Sequence, residues 1–166
     1  GFIFVKNNPI QTLLHALKYQ GNFQIARFLA DQLSKRYYEE IQQVEGFIAV
    51  PIHVRKRFDR GYNQCALMVN HLCQQFNKNS YSTLLQKVVN NASQTKKNKE
   101  ERRLNVENSY WVSPKIKQFS HLGIVEDVLT TGATLRAITQ EIKRINPTIK
   151  LSFFVVASAL ECTKKS

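Results

Sequence analysis

The spacing of apolar residues along the chain predicts which segments form helices and which form strands. Apolar residues recur three and four positions apart in four segments, which predicts helices over residues 10–17, 25–37, 65–76 and 135–145. Short runs rich in apolar residues predict strands at 47–50, 83–89, 110–112, 122–129 and 151–156. Because strands alternate with helices, we expect an α/β fold in which helices flank a mainly parallel central sheet of about four to six strands.

The order of these segments predicts one compact domain with two parts. The chain has 166 residues, which suits a single domain, and no linker rich in Pro or Ser interrupts it. Helices come first and the first strand begins near residue 47. We therefore expect a small N-terminal helical hood over residues 1–46 and a core over residues 47–166.

Composition excludes several classes of protein. A hydrophobic content of 43% argues against disorder. No apolar run approaches the ~20 residues of a membrane helix, so membrane insertion is not expected. The three cysteines form no C-x-x-C pair, which fits a reducing, cytoplasmic compartment better than a disulfide framework. The histidines are not spaced as metal ligands, so no zinc site is expected.

The net charge of +12 points to a polyanionic partner such as nucleic acid or a phosphorylated metabolite. Segments 51–64 and 87–105 hold ten of the 24 basic residues and three of the 12 acids, and therefore carry +7 of the net charge. Neither segment has the pattern of a long amphipathic helix, which disfavours membrane binding. A solvated basic surface without a partner is the alternative.

Residues 123–134 combine an apolar strand, two acids and a hydroxyl-rich turn that leads into a helix. Glu126 and Asp127 end the strand, and ligands in open α/β sheets bind beyond the carboxyl ends of strands. The following turn has three threonines and Gly132, and the start of a helix favours an anion. A sugar phosphate satisfies both groups, because the acids suit its hydroxyls or a divalent cation and the turn suits its phosphate.

This motif resembles the 5-phosphoribosyl-1-pyrophosphate (PRPP) motif of type I phosphoribosyltransferases. Three further segments resemble elements of the ComF family, which is associated with bacterial competence and DNA uptake. They are residues 15–21, the sequence RGYNQ at 60–64, and the series Gln94, Arg102, Asn105 and Tyr110. ComF proteins usually carry an N-terminal four-cysteine zinc module. This chain lacks it and begins at Gly1 rather than Met, which indicates a fragment, a processed chain or loss of the module.

The resemblance implies a type I phosphoribosyltransferase fold and a role for each motif residue. Glu126 and Asp127 would hold the ribose hydroxyls of PRPP, and Mg²⁺ would bind through PRPP with Asp127 as a further ligand. The 5′-phosphate would bind at Thr130, Thr131, Gly132, Ala133 and Thr134. Pyrophosphate would contact Pro51, Ile52, His53, Arg60 and Arg103.

The resemblance also implies a mobile catalytic loop over residues 92–104. Within it, Lys97 and Arg102 would act as catalytic cations that stabilise charge on the departing pyrophosphate. A lid of this kind also excludes water from the reacting centre. The alternative is a basic loop that is only solvated.

Two kinds of function follow from these expectations. The first is an enzyme that transfers ribose 5-phosphate from PRPP to an acceptor, which would lie between the hood and the carboxyl edge of the sheet. The second is a cytoplasmic competence factor without catalysis, which binds single-stranded DNA, senses PRPP, or contacts other proteins of the competence machinery. Neither the acceptor nor the oligomeric state follows from the sequence.

Overall fold

The computed structural model describes residues 2–3, 9–88 and 109–159. The described strands are β1 (Phe2–Ile3), β2 (Gly46–Ala49), β3 (Asn79–Ser80), β4 (Leu85–Lys87), β5 (Tyr110–Val112), β6 (His121–Leu129) and β7 (Lys150–Ser158). The described helices are α1 (Pro9–Tyr19), α2 (Phe23–Arg36), α3 (Tyr38–Gln43), α4 (Val54–Arg60), α5 (Gln64–Phe76) and α6 (Ala133–Ile145). Two short 3₁₀ helices span Ser82–Leu84 and Pro114–Gln118.

Five strands form a central sheet in the order β1-β7-β6-β2-β3, and every neighbouring pair is parallel. Strands β4 and β5 form a separate antiparallel ribbon. The predicted α/β architecture with a parallel central sheet is therefore confirmed. Because all five strands run the same way, the carboxyl ends of β2 and β6 lie at one edge of the sheet, where ligands of such folds bind.

The two faces of the sheet pack against different helices, as alternation along a strand requires. On one face, Phe47, Val125 and Phe154 join a buried cluster with residues of α1, α2 and α5. On the other face, Ile48 and Ile124 join a second cluster with residues of α6. Both faces of β2 and β6 are buried, which explains why their sequences are continuous apolar runs.

Gly123 allows the aromatic rings of the first cluster to pack directly against the backbone of β6. A Cβ atom at this position would lie 2.7 Å from Cε2 of Phe154 and 2.9 Å from Cδ1 of Phe47. The two aromatic rings, whose centroids are 5.8 Å apart, occupy the space that a side chain would need. The glycine in this strand therefore serves close packing rather than flexibility.

Several segments differ from the sequence prediction, among them strands β1 and β3, which the apolar pattern did not predict. Residues 54–60 lie outside the four predicted helices but form α4, on which Val54 and Phe58 are 61% and 89% exposed. Helix α3 was not predicted, since it buries only Ile41. The strand predicted at 83–89 is confined to β4 and follows a 3₁₀ turn. Among the described helices, none has the length and apolar character needed to cross a lipid bilayer.

Candidate functional site

A cleft with a cavity of about 440 Å³ lies at the carboxyl ends of β2 and β6. This volume is within the usual range of small-molecule sites. The end of α1, the segment after β2, the β4–β5 ribbon, β6 and the start of α6 each contribute to the walls. The lining residues are Lys18, Val50, Pro51, Ile52, His53, Arg60, Gln64, Lys87, Tyr110, Glu126, Asp127 and Thr134.

The two acids of the motif are consecutive residues near the end of β6, and both line this cleft. Both side chains are largely buried. Within the described part of the chain, Oε2 of Glu126 is a buried side-chain oxygen with no hydrogen-bond partner. Burial, with a smaller contribution from the charge of Asp127, raises the pKa of Glu126 to about 7, and Lys18 opposes this shift. Glu126 can therefore both accept and donate a hydrogen bond near neutral pH.

Asp127 differs from Glu126 because both of its oxygens are already engaged. Its Oδ2 lies 2.6 Å from Nζ of Lys18 and accepts a hydrogen bond of 3.1 Å from Nε2 of Gln64. Its Oδ1 accepts a hydrogen bond of 2.9 Å from the backbone N–H of Val128. The side chain is thus fixed in position. A ligand hydroxyl that donates a hydrogen bond to Asp127 must therefore share an oxygen with the present donors or replace one of them.

Arg60 extends this network toward the surface of the hood. Its Nη1 lies 3.5 Å from Oε1 of Gln64, and its Nη2 donates to the hydroxyl of Tyr19 at 3.1 Å. The guanidinium carbon also lies 4.9 Å from the centroid of the Tyr19 ring. A continuous chain of polar contacts therefore joins Tyr19 on the hood to Asp127 on the sheet.

The start of α5 places Gln64 in this network. Asn63 is the N-cap residue, since its Oδ1 accepts from the backbone N–H of Cys65 at 2.9 Å. Its Nδ2 donates to the carbonyl oxygen of Val50 at 3.0 Å and ties the helix start to the end of β2. Burial raises the pKa of the Cys65 thiol well above its ordinary value, with a further contribution from Asp127. Cys65 is therefore a packing residue rather than a nucleophile.

The turn after β6 has the geometry that its sequence suggests. Gly132 adopts a left-handed conformation with a φ of 73° at the N-cap of α6. The Oγ1 atom of Thr131 accepts from the backbone N–H of Ala133 at 3.3 Å. A Cβ on Gly132 would lie 3.0 Å from Nη1 of Arg136, so a guanidinium lies directly beside the turn. The positive end of α6 and this cation both favour an anion here.

The β4–β5 ribbon forms a further wall of the cleft. Lys87 and Tyr110 are paired across the ribbon, and Nζ of Lys87 lies 5.5 Å from the centroid of the Tyr110 ring. The Tyr110 hydroxyl is hydrogen-bonded to the side chain of Thr134, and burial raises the pKa of Tyr110. Through this Tyr110–Thr134 contact, the ribbon is connected to the start of α6 at the wall of the cleft.

The structure brings together about half of the residues predicted to form the site. Seven of them line the cleft: Pro51, Ile52, His53, Arg60, Glu126, Asp127 and Thr134. Thr130, Thr131, Gly132 and Ala133 form the adjoining turn without lining the cleft itself. Lys97, Arg102 and Arg103 lie outside the described residues. The structure thus shows where the described residues lie, and the roles of all these residues in binding PRPP stay predictions.

Sequence reasoning did not include several residues that line the cleft. Gln64 and Lys18 hold Asp127, whereas Lys87 and Tyr110 come from the ribbon. Lys18 and Gln64 belong to the segments that resemble ComF elements, so the resemblance contained a signal for both. Tyr110 belongs to the third such segment, whereas nothing in the local pattern around Lys87 indicates that its side chain lines the cleft.

The described residues do not form a metal site by themselves. Among them, no group of three or more His, Cys, Asp and Glu side chains is placed to hold an ion. A Mg²⁺ ion held mainly by phosphate oxygens needs only one or two carboxylates from the protein. Oε2 of Glu126 meets that need, whereas the oxygens of Asp127 are engaged. The residues therefore fit a substrate-bound Mg²⁺ that takes one carboxylate oxygen of the cleft, and Asp127 as that ligand stays a prediction.

Comparison with known proteins supports the predicted resemblance. The chain is 27% identical to Competence protein F of Haemophilus influenzae over 145 residues, which cover 82% of this chain and 63% of the relative. It is 29% identical to the DNA utilization protein YhgH of Salmonella typhimurium (82% and 62%) and 27% identical to Competence protein ComFC of Bacillus subtilis (80% and 53%). The chain is a homologue of these competence and DNA utilization proteins.

The matches leave part of each relative uncovered. The chain spans 53% to 63% of the length of these three relatives. No protein-family model matches it. Among solved structures, orotate phosphoribosyltransferase from Aeropyrum pernix has a TM-score of 0.48 and 11% identity, covering 84% of this chain and 75% of that one. This similarity is too low to characterise the fold, which rests instead on the parallel sheet of this chain.

Proposed function

We propose that this protein binds PRPP in the cleft and transfers its ribose 5-phosphate to an acceptor. The observation that supports this most directly is the arrangement of the cleft around β6. A buried carboxyl with an unpartnered oxygen lies on the strand, and the glycine turn at the start of α6 follows it. One sugar phosphate could occupy both features, because they are separated by only a few residues at the same edge of the sheet.

Each part of PRPP has a proposed position. The ribose hydroxyls bind Glu126 and Asp127, and the 5′-phosphate binds at residues 130–134 with Arg136 beside the turn. The pyrophosphate lies against Pro51, Ile52 and His53, within reach of Lys87. Cations at this wall stabilise the negative charge that builds on pyrophosphate as the bond from ribose C1 to oxygen breaks. When bound, Mg²⁺ would neutralise part of the pyrophosphate charge.

The test is calorimetric titration of the chain with PRPP in the presence of Mg²⁺, together with an assay for pyrophosphate release. We expect saturable binding in the wild type and a loss of about tenfold or more in Glu126→Gln and Asp127→Asn. Glu39→Gln, on the exposed face of α3, is the matched control and should bind as the wild type does. Absence of PRPP binding by the folded wild type would reject the proposal. Binding without pyrophosphate release, in the presence of candidate acceptors, would favour a PRPP sensor.

A second proposal is that the protein binds single-stranded DNA, and a specific groove favours it. A cavity of about 730 Å³ shares Pro51, Ile52 and Lys87 with the cleft but is not lined by Glu126 or Asp127. Its lining includes Arg57 and Lys87, and none of its lining residues within the described chain is an acid. The names of the homologues, which refer to competence and DNA utilization, agree with such a ligand.

The dependence of DNA affinity on salt tests this second proposal. Binding that neutralises Z phosphates of a single strand should weaken with a slope of about 0.7Z in a plot of log affinity against log salt. We expect Arg57→Gln to lower that slope by somewhat less than one unit. Lys117→Gln, at an exposed cation that does not line the groove, is the control and should leave the slope unchanged. A flat slope for the wild type would exclude a DNA-binding groove.

A further inference from the structure

The groove proposed for DNA and the cleft proposed for PRPP share part of one wall. Pro51, Ile52 and Lys87 line both cavities, and no other residue of the described chain lines both. Pro51 and Ile52 follow β2, whereas Lys87 is the last residue of β4. Lys87 is therefore the charged residue of the shared wall, and a ligand in either cavity lies beside its side chain.

The lining of the groove suits a strand in which phosphates alternate with bases. Arg57 and Lys87 are the two cations that line it, and none of its lining residues in the described chain is an acid. Apolar side chains, among them Val54, Ala66 and Leu67, line the same groove. Exposed side chains with amide or hydroxyl groups line it as well: Asn70, Ser80, Ser82, Thr83 and Gln86. Cations of this kind contact phosphates, whereas apolar and hydrogen-bonding groups suit the faces and edges of unstacked bases.

The β4–β5 ribbon sets the position of Lys87 between the two cavities. Lys87 is paired with Tyr110 across the ribbon, and its Nζ lies 5.5 Å from the centroid of the Tyr110 ring. Tyr110 lines the cleft but not the groove, whereas Gln86, the residue before Lys87, lines the groove but not the cleft. The half-buried side chain of Lys87 thus lies at the boundary, where an anion on either side attracts its charge.

One ammonium group cannot serve two polyanions equally well. It is a compact charge at the end of a flexible stem, so it can approach an anion on either side of the wall. In the proposed complex with PRPP, it lies within reach of the pyrophosphate. A DNA phosphate at the same wall then meets a cation whose charge is already neutralised, and it is repelled by the pyrophosphate. The two ligands therefore compete for Lys87, although each has its own cavity.

We propose that Lys87 couples the two sites, so that PRPP bound in the cleft weakens the binding of single-stranded DNA in the groove. This inference rests on both of the proposed binding functions. Linkage requires that DNA weaken the binding of PRPP by the same factor. The pyrophosphate of PRPP causes the effect, because the ribose and the 5′-phosphate bind the acids and the turn, none of which lines the groove. The concentration of PRPP thereby regulates the affinity of the protein for DNA.

The fluorescence anisotropy of a labelled oligothymidylate of about 12 nucleotides measures DNA affinity at one fixed salt concentration. PRPP with Mg²⁺ is compared with ribose 5-phosphate and Mg²⁺, each at a concentration that saturates the cleft in a calorimetric titration. We expect PRPP to weaken DNA binding about fivefold to tenfold. Ribose 5-phosphate lacks the pyrophosphate and should change the DNA affinity by less than about twofold.

Two variants that each lose one cation of the groove locate the coupling. The measured quantity is the ratio of the DNA affinities without and with PRPP, and it is taken on the same variant so that general damage cancels. In Lys87→Gln this ratio should fall to about twofold or less. Arg57→Gln is the matched control, because Arg57 lines the groove but not the cleft. It should bind DNA more weakly and keep the ratio of the wild type.

The inference is overturned if PRPP leaves DNA binding unchanged or strengthens it. It is also overturned if ribose 5-phosphate weakens DNA binding as much as PRPP does, since DNA then enters the cleft itself. A wild-type ratio in Lys87→Gln overturns it as well, because the charge of PRPP then acts on DNA without this residue. If Lys87→Gln does not fold, the comparison of PRPP with ribose 5-phosphate on the wild type still decides. Failure of either ligand to bind by itself would instead reject the proposed function of its own cavity.

Discussion

Nζ of Lys18, in the last turn of α1, lies 2.6 Å from Oδ2 of Asp127, near the end of β6. This ion pair joins the predicted hood to the predicted core at the candidate site itself. Both side chains are mostly shielded from water, with exposures of 23% and 13%. Their interaction is therefore less screened than that of a surface pair, and loss of either partner leaves the other charge poorly solvated.

A double-mutant cycle on these two residues measures their interaction. We expect Lys18→Met to lower the free energy of unfolding by about 1–3 kcal/mol, because it leaves the carboxylate of Asp127 with only neutral donors. Asp127→Asn in the Lys18→Met background should cost less than it does alone, with a coupling energy of about 1–2 kcal/mol. The free energies come from urea unfolding of the four variants.

The chain offers a matched surface pair as a control for this cycle. Nη2 of Arg144 lies 2.9 Å from Oε2 of Glu141 on α6, but the arginine is 75% exposed. Its coupling energy should be below about 0.5 kcal/mol, as is usual for exposed pairs. Equal coupling energies in the two cycles would contradict the expectation that Lys18 and Asp127 interact more strongly than an exposed ion pair does.

Stability should depend on pH through Glu126. Its pKa is about 7 in the folded protein, against an ordinary value of 4.5, so between these values the folded protein binds the additional proton. The free energy of unfolding should therefore fall as pH rises from about 5 to about 8, by roughly 2 kcal/mol from this group. Glu126→Gln removes this contribution. The free energy of unfolding of the variant, relative to that of the wild type, should therefore increase as pH rises.

The comparison with Glu126→Gln is needed because His121 has the opposite effect. Burial lowers the pKa of His121, so its contribution to stability rises with pH as it loses its proton. That trend is common to both proteins and cancels in their difference. Urea unfolding at several pH values gives the two curves, and a difference that is constant with pH would show that Glu126 titrates normally.

The sequence predicted the sheet and the acid pair, but not the contacts that give each acid its properties. Two adjacent carboxylates at the end of an apolar strand identify Glu126 and Asp127 without further information. Their different environments depend on Lys18 and Gln64, which are 109 and 63 positions away from Asp127 in the chain. Contacts over such separations follow from the packing of α1 and α5 on the sheet, and local periodicity carries no information about them.

The elements that the sequence did not predict share a physical cause. Helix α4 has exposed apolar residues and α3 has one buried residue, so neither shows a stripe of apolar positions. Such helices are stabilised by the neighbouring chain rather than by their own pattern.

Gly132 should be sensitive to the addition of a single methyl group. Its φ of 73° is strained for alanine, by about 1–2 kcal/mol, and a Cβ there would press on Arg136. We expect Gly132→Ala to lower stability by that amount and to weaken the binding of PRPP by about tenfold, because the turn and its guanidinium are displaced. Calorimetric titration and urea unfolding provide the two measurements.

Gly21 provides the control for this substitution. Its φ is 64°, and among the described residues no atom beyond its two chain neighbours lies within 4 Å of the position that a Cβ would occupy. Gly21→Ala should therefore have a similar cost in stability with unchanged affinity for PRPP, since it lies at the end of α1 rather than at the turn after β6. If both variants lose affinity equally, backbone strain alone explains the effect and the turn is not a phosphate site.

Gln64 and Asn63 are neighbours whose substitution should have different consequences for the cleft. Asn63 caps α5 and binds the end of β2, so Asn63→Ala should destabilise the protein by about 1–2 kcal/mol through the helix start. Gln64→Leu removes the amide that donates to Asp127 and accepts from Arg60, and should have a similar cost. Only the second change alters the polar contacts of an acid in the cleft.

The two variants should therefore separate stability from ligand binding. In Gln64→Leu the carboxylate of Asp127 keeps Lys18 and the N–H of Val128, but it is less firmly oriented toward the cleft. We expect its affinity for PRPP to fall about fivefold to tenfold, whereas Asn63→Ala should bind PRPP within about twofold of the wild type. Equal losses of affinity in variants of equal stability would show that the start of α5 positions the cleft as a whole. Loss in Gln64→Leu alone would identify its side-chain amide as the group that orients Asp127 for a sugar.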